Sequence, residues 1–123
     1  MKFVKTGAFL CALSVIFGAF GAHGIKDKVS PDLFQVYQTG SQYFFSHSIA
    51  IILYGLFCHS IKKETKTWPA ILFMVGILLF TGSLYLIALT EIRAFGIITP
   101  LGGLSFILAW IGFGIQAQKA SHP

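Results

Sequence analysis

The stretch Gly18-Ala19-Phe20-Gly21-Ala22-His23-Gly24 closes the first long apolar run of the chain and places one histidine among very small residues. In lipid the hydrophobic effect does not drive helices together, and small residues allow the close backbone approach on which helix packing then depends. The stretch therefore predicts the end of a membrane helix that touches a neighbouring backbone and carries a polar side chain.

The charged residues are few and clustered, which indicates the fold class. The chain is 55% hydrophobic and 11% charged, and no Asp, Glu, Lys or Arg occurs in residues 6–25, 33–61, 67–90 or 94–118. Each segment has about 20 residues or more, and a helix of that length crosses the ~30 Å hydrocarbon core of a bilayer. The length of 123 residues suits one domain. We predict an all-α integral membrane bundle, a single domain over residues 1–123, with four transmembrane helices at about 6–24, 43–61, 68–89 and 98–116.

The first apolar run also resembles a secretory signal peptide, because Lys2 and Lys5 precede it and small residues follow near Gly21. The run is longer than the apolar core of a usual signal peptide, and its glycines suit helix packing. We therefore expect it to remain as an uncleaved helix.

A strong helix start follows the first helix. Ser30 has the chemistry of an N-cap, Pro31 suits the first helical position and Asp32 suits the first turn. In residues 31–42 the apolar side chains fall near one face and the glutamines near the other, which predicts a short amphipathic segment on the membrane surface, with a bend at Gly40. One long helix that continues into the second span is the alternative, and the pattern barely separates the two.

The first and fourth helices each carry a stripe of small residues at helical spacing. These residues are the predicted sites of close helix packing, so that helices 1 and 4 are expected to be the closely packed elements, or alternatively the surface of a homo-oligomer. They are Ser14, Gly18, Gly21 and Ala22 on helix 1, and Gly102, Gly103, Ser105, Ala109 and Gly112 on helix 4.

The basic residues predict the orientation. Six of the nine lie near the termini or in the turn between helices 2 and 3, and three lie in the other two connections. The positive-inside rule then places both termini in the cytoplasm, in the bacterial inner (plasma) membrane. The net charge of +5 sits in connections and not on one face interleaved with aromatic residues, so we expect membrane lipids as partners and no nucleic acid.

The predicted helix positions and orientation place several polar side chains in the outer half of the bundle. They either satisfy one another and set the helix packing, or bind a lipid-like ligand between the helices. The residues of this candidate site are His23, Gln42, His47, Ser83, Tyr85 and Thr99. Among them His23, His47, Tyr85 and Thr99 are expected to form one connected network.

Other functions are less well supported by the residues. A small transporter acting as an oligomer would need an acidic residue near the membrane midplane for ion coupling. The only candidate, Glu91, lies at the membrane edge. A metal or haem site on His23 and His47 lacks a third ligand and an attachment motif. Hydrolysis at Ser46-His47-Ser48 lacks an orienting carboxylate. A subunit of a membrane complex is a further alternative. We expect a non-enzymatic protein with no cofactor and no bound metal.

Four segments together resemble the small membrane-protein family catalogued as domain of unknown function 423, whose animal relatives are called transmembrane protein 256. The segments are residues 18–24, 43–50, 79–90 and 98–103, which read GAFGAHG, YFFSHSIA, LFTGSLYLIALT and ITPLGG. The resemblance implies a four-helix integral protein of the bacterial inner membrane, and supplies neither an activity nor catalytic residues. The chain departs from the pattern at Ser48, where alanine is usual, and at Glu91, where glycine is common.

Overall fold

The chain forms a bundle of long helices. The computed structural model describes residues 1–122, so that Pro123, the last residue of the predicted domain, lies outside the described part. Within residues 1–122 four helices are long and apolar enough to cross a membrane, and no strand occurs, which confirms the all-α membrane bundle. We call these helices α1 (Lys2–Ile25), α2 (Pro31–Ser60), α3 (Trp68–Thr90) and α4 (Thr99–Ser121).

α2 is one continuous helix of 30 residues, which settles the alternative left open for residues 31–42. The predicted start is confirmed, because the Leu33 N–H donates to the Ser30 hydroxyl at 3.3 Å and Pro31 is the first helical residue. Residues 31–42 are therefore the first turns of α2 and not a separate surface segment. A helix of this length spans ~45 Å, more than the hydrocarbon core, so α2 either tilts or projects from it.

Gly40, where the sequence predicted a bend, lies within the continuous helix α2 and allows a close approach of α3. A Cβ at Gly40 would lie 3.2 Å from the Tyr85 ring and 3.3 Å from the Leu84 Cβ. The Thr81 hydroxyl also donates to the Gly40 carbonyl at 3.0 Å. The missing side chain thus lets α3 lie against α2 at this level.

Two helices contain wide, π-type turns. α1 ends in one over Gly21–Ile25, where the Lys26 N–H donates to the Gly21 carbonyl at 3.0 Å. α3 contains another over Ile77–Thr81, so that its backbone is α-helical before and after this segment. Such turns rotate the following side chains relative to a regular α-helix, which shifts the faces that a sequence pattern predicts.

The connection between α3 and α4 is a tight one. α3 ends at Glu91, whose backbone is left-handed with φ 61° and ψ 11°. A 3₁₀ turn over Arg93–Ile97 then leads into α4. This left-handed position at a helix end is the one that glycine normally fills, because a Cβ is strained there.

The helices pack in chain order, α1 on α2, α2 on α3 and α3 on α4. The helices expected to be the closely packed elements, α1 and α4, each pack on a neighbour in the chain. Over residues 1–122 α1 packs on α2 and α4 packs on α3, and extensive backbone contact between α1 and α4 is missing. The buried centre of the bundle lies between α2, α3 and α4, around Phe44, Ile51, Phe73 and Phe106.

The small residues of α4 face α3. A Cβ at Gly102 would overlap the backbone of Phe80, and the Ser105 hydroxyl donates to the Leu72 carbonyl at 2.7 Å. Gly112 lies under the Trp68 ring, Ala109 is fully buried, and Gly103 has only ordinary contacts with the Phe80 ring.

α1 and α2 meet closely at a different place from the predicted stripe. A Cβ at Gly7 would lie 2.8 Å from the Ser48 carbonyl oxygen, and one at Gly55 would lie 2.8 Å from the Val4 nitrogen. This contact puts the start of α1 beside the end of α2. That end of the bundle, which also holds residues 61–67 and the end of α4, is called here the lysine-rich end.

Candidate functional site

A groove of about 350 Å³ runs between α1 and α2, in the half of the bundle away from the lysine-rich end. We call it the α1–α2 groove. From α1 its lining consists of the predicted packing residues Ser14, Gly18, Gly21 and Ala22. From α2 come aromatic rings, at Phe34, Tyr37 and Phe45, and polar side chains, at Gln38, Ser41 and Gln42.

Tyr37 holds the two helices at the spacing that leaves this groove. Its side chain is 2% exposed, its hydroxyl donates to the Phe17 carbonyl at 2.5 Å, and its ring occupies the place of a Cβ at Gly21. No atom lies within 4 Å of a Cβ placed on Gly18. Gly18 therefore borders open space where the sequence predicted a close helix contact. Gly21 does make such a contact, with the Tyr37 ring.

The polar groups of the groove are neutral hydrogen-bonding groups. Gln38 and Gln42 are exposed, and each amide has both donors and an acceptor to offer. Among the described residues the lining contains no charged side chain. An uncharged polar group is thus the chemistry that this groove can bind, with aromatic rings beside it for an apolar portion.

Tyr85 supports the groove from behind, which places this predicted site residue outside the lining itself. Its ring stacks on Tyr37 with centroids 4.4 Å apart, and its hydroxyl lies 2.6 Å from the Ser41 hydroxyl. α3 thereby fixes both the Tyr37 ring and one polar residue of the groove. Ser41 was not among the predicted site residues, because nothing in the spacing of Ser41 and Tyr85 along the chain indicates the contact.

Ser83 and Thr99 form a separate pair. Their hydroxyls lie 2.5 Å apart, and the Ser83 hydroxyl also reaches the Phe80 carbonyl at 2.9 Å. Ser83 is buried and Thr99 half-buried. The pair joins the end of α3 to the start of α4.

His47 lies deeper than its expected position in the outer turns of helix 2. Because α2 begins at Pro31 and not near residue 43, His47 is in the middle of the helix, ten residues or ~15 Å beyond Tyr37. It is 7% exposed and stacks on Phe106 with centroids 3.7 Å apart. The residue is thus part of the core between α2 and α4.

Both ring nitrogens of His47 are bonded to the protein. Nε2 is 3.1 Å from the indole nitrogen of Trp110, and Nδ1 is 2.9 Å from the Tyr43 carbonyl. An indole N–H only donates and a carbonyl only accepts, so the arrangement requires a neutral ring with its proton on Nδ1. Trp110 was missed by the sequence reasoning, since a tryptophan in an apolar helix gives no sign of its partner.

His23 is exposed within the wide turn that ends α1. Gly21 of the same turn packs on Tyr37, so that His23 lies at the level of Tyr37 and far from His47. The network predicted for the two histidines, Tyr85 and Thr99 is therefore divided into separate contacts. The histidines do not fit a shared metal or haem site either, because His47 has both nitrogens engaged, and residues 1–122 contain no group of three metal-ligating side chains.

Comparison with known proteins identifies the family. The family model described as "Protein of unknown function (DUF423)" matches residues 17–103. The chain belongs to this family. The matched range runs from the end of α1 to the first turns of α4. It contains both partners of the Tyr37–Phe17, Ser41–Tyr85 and Ser83–Thr99 contacts, and of the His47–Trp110 contact only His47.

Relatives resemble the chain along almost its whole length. The UPF0382 membrane protein YwdK of Bacillus subtilis is 38% identical over 118 residues, which cover 95% of this chain and 96% of the relative. A UPF0382 membrane protein of Staphylococcus epidermidis is 37% identical over 117 residues, and SH2409 of Staphylococcus haemolyticus is 38% identical over 117 residues, each covering 95% of both chains. The names describe membrane proteins and contain no enzymatic activity. No solved structure matches this chain.

Proposed function

We propose that this protein is a non-enzymatic lipid-binding protein, and that the α1–α2 groove holds a lipid-like molecule with an uncharged, hydrogen-bonding head. The observation that carries the proposal is the pair of exposed glutamines, Gln38 and Gln42, in a groove of about 350 Å³ walled by aromatic rings. Both glutamines lie in the charge-free segment 33–61. A polar group within the membrane is costly unless it is hydrogen-bonded, and a ligand head that bonds both amides would remove that cost.

The packing of α1 on α2 alone also supports a ligand that enters the groove laterally, from the lipid bilayer. Over the described residues α1 makes its extensive contacts with α2 alone, so the groove is bounded by two helices and faces the lipid on its remaining side. Tyr37 and Tyr85 give the groove a fixed wall, which lowers the entropy cost of binding.

We further propose that the lysine-rich end faces the cytoplasm and that the groove opens toward the outer leaflet of the plasma membrane. Six of nine basic residues lie at the termini and in residues 61–67, which supports this orientation by the positive-inside rule. The non-enzymatic character is supported by His47, the one buried histidine among residues 1–122, since both of its ring nitrogens are used in structural bonds.

The proposal is tested by filling the groove. Gly18→Leu places a side chain in open space inside the groove, so that folding is retained while the volume for a ligand is lost. Gly114→Leu is the matched control, because a Cβ at Gly114 also meets no atom within 4 Å and Gly114 lies outside the groove. The proteins are extracted gently from their own membrane and measured by native mass spectrometry.

We expect the wild type and Gly114→Leu to retain a stoichiometric lipid or lipid-like molecule, and Gly18→Leu to lose it. Bare polypeptide in all three proteins contradicts the proposal. A homo-oligomer that is present in the wild type and absent only in Gly18→Leu, with no ligand in either, would instead assign the groove to a contact between two copies of the chain.

A further inference from the structure

We infer that the lysine-rich end contains a second site, a small cleft that binds the phosphate group of an anionic ligand. The cleft lies between residues 61–67 and the last turns of α4 and has a volume of about 110 Å³. Three lysines, Lys63, Lys66 and Lys119, line it together with one acidic residue, Glu64, which leaves a net formal charge of +2. This inference is independent of the ligand proposed for the α1–α2 groove, since the two sites lie at opposite ends of α2.

The cleft is built by hydrogen bonds that use backbone groups and uncharged side chains. The fully buried Tyr54 donates its hydroxyl to the Lys66 carbonyl, and the Lys66 N–H donates to the Gln116 amide oxygen at 3.3 Å. Gln116 is 7% exposed and lines the cleft, with its amide oxygen used in this bond. The connection 61–67 is thereby fixed against α4, while the ammonium groups of Lys66 and Lys119 stay free of these bonds.

Lys63 compensates the negative end of the α4 helix dipole, which would otherwise repel an anion. The end of α4 carries carbonyl groups without helical partners, which form the negative end of the helix dipole. The Lys63 ammonium donates to the His122 carbonyl and lies 3.5 Å from the Lys119 carbonyl. The cleft therefore presents positive charge next to a helix end that is already capped.

The size and position of the cleft select a phosphate group. A volume of about 110 Å³ is large enough for one phosphate group and too small for the acyl chains of a lipid. The cleft follows directly after the charge-free segment 33–61, and Trp68 just beyond it is a residue type that favours the membrane interface. This is the level of lipid headgroups, where basic pockets between helices bind anionic lipids. The phosphate can belong to such a lipid or to a soluble anion.

The test compares two charge-matched double variants. Lys66→Gln with Lys119→Gln removes two cleft charges and leaves every hydrogen bond described above in place, because those residues contribute only backbone groups. Lys2→Gln with Lys5→Gln removes two charges at the same end of the bundle, outside the cleft. Each protein is titrated in detergent with phosphatidylglycerol or phosphatidylcholine, and the first bound lipid is quantified by native mass spectrometry.

We expect one phosphatidylglycerol to bind the wild type more tightly than phosphatidylcholine, and the cleft variant to lose roughly tenfold in phosphatidylglycerol affinity. The Lys2 and Lys5 variant should retain the wild-type affinity. Competition by millimolar inorganic phosphate would identify a soluble phosphate as a ligand of the same site, whereas no competition would identify the lipid. Equal binding of the two lipids, or equal losses in both variants, overturns the inference.

Discussion

At the scale of single residues, the clearest feature is Glu91, whose left-handed backbone ends α3. It is the one non-glycine residue with positive φ among residues 1–122. The left-handed conformation brings Cβ too near the following carbonyl oxygen and costs roughly 1–2 kcal/mol for an L-residue. Glycine, which is common at this position in the family that the chain resembles, avoids that cost because it has no Cβ.

We therefore expect Glu91→Gly to raise the free energy of unfolding by about 1 kcal/mol. Glu91→Gln is the control, because it removes the charge and keeps the strained backbone. Reversible unfolding in mixed micelles measures both variants. If the two stabilise the protein equally, then charge and not backbone strain is responsible.

His47 and Trp110 are the second residue-scale feature. Trp110→Phe removes the indole N–H and leaves the buried His47 Nε2 without its donor. We expect each of Trp110→Phe and His47→Ala to destabilise the protein, with a coupling energy of about 0.6–1.7 kcal/mol in the double-mutant cycle.

His23 supplies the control for that cycle. His23→Ala should change stability little and combine additively with His47→Ala, because the exposed His23 has no contact with His47. Strong coupling between the two histidines, or none between His47 and Trp110, would contradict the assignment of these contacts.

At the scale of elements, the contact between α3 and α4 depends on one glycine. A Cβ at Gly102 would overlap the Phe80 backbone, which cannot rotate away as a side chain can, whereas a Cβ at Gly103 would have ordinary contacts at 3.9 Å. The adjacent glycines therefore differ sharply in what they permit. Gly102 allows the wide-turn segment Ile77–Thr81 of α3 to lie directly on α4.

We expect Gly102→Ala to destabilise the bundle by about 1–3 kcal/mol, as overpacking does, and Gly103→Ala to have a much smaller effect. The same unfolding measurement applies to both. Similar losses would mean that helix propensity or lipid contact, and not the approach to Phe80, determines the role of the glycines.

At the scale of the whole molecule, the proposed orientation rests on lysines that share one end of the bundle. The start of α1, residues 61–67 and the end of α4 share one end of the bundle, so their charges act together on topology. Asp27→Cys and Glu64→Cys report the two ends, since both residues are exposed in connections. The native Cys11 and Cys58 are replaced by serine in both variants.

We expect a membrane-impermeant maleimide to label Asp27→Cys in intact spheroplasts, and Glu64→Cys only after the membrane is opened. Labelling of each variant after the membrane is opened is the control, because it shows that the introduced cysteine reacts with the maleimide. The reverse pattern would place the termini outside and turn the α1–α2 groove toward the inner leaflet.

The number of membrane-spanning helices and the start of α2 were predicted from the sequence alone. Four charge-free segments long enough to cross a bilayer require four spanning helices, because backbone groups in lipid must be satisfied within a helix. The start of α2 was also determined locally, since Ser30 and Pro31 act on their own first turn. Both results depend on residues near one another in the chain.

The partners of side chains were decided only by the tertiary structure. Ser41 with Tyr85, and His47 with Trp110, join residues that are 44 and 63 positions apart. The small-residue stripe of α1 predicted a close contact, yet Gly18 lines open space, because the rings of Tyr37 and its neighbours keep α2 at a distance there. Periodicity tells which residues share a helix face. The wide turns in α1 and α3, and the length of α2, determine which neighbour that face meets.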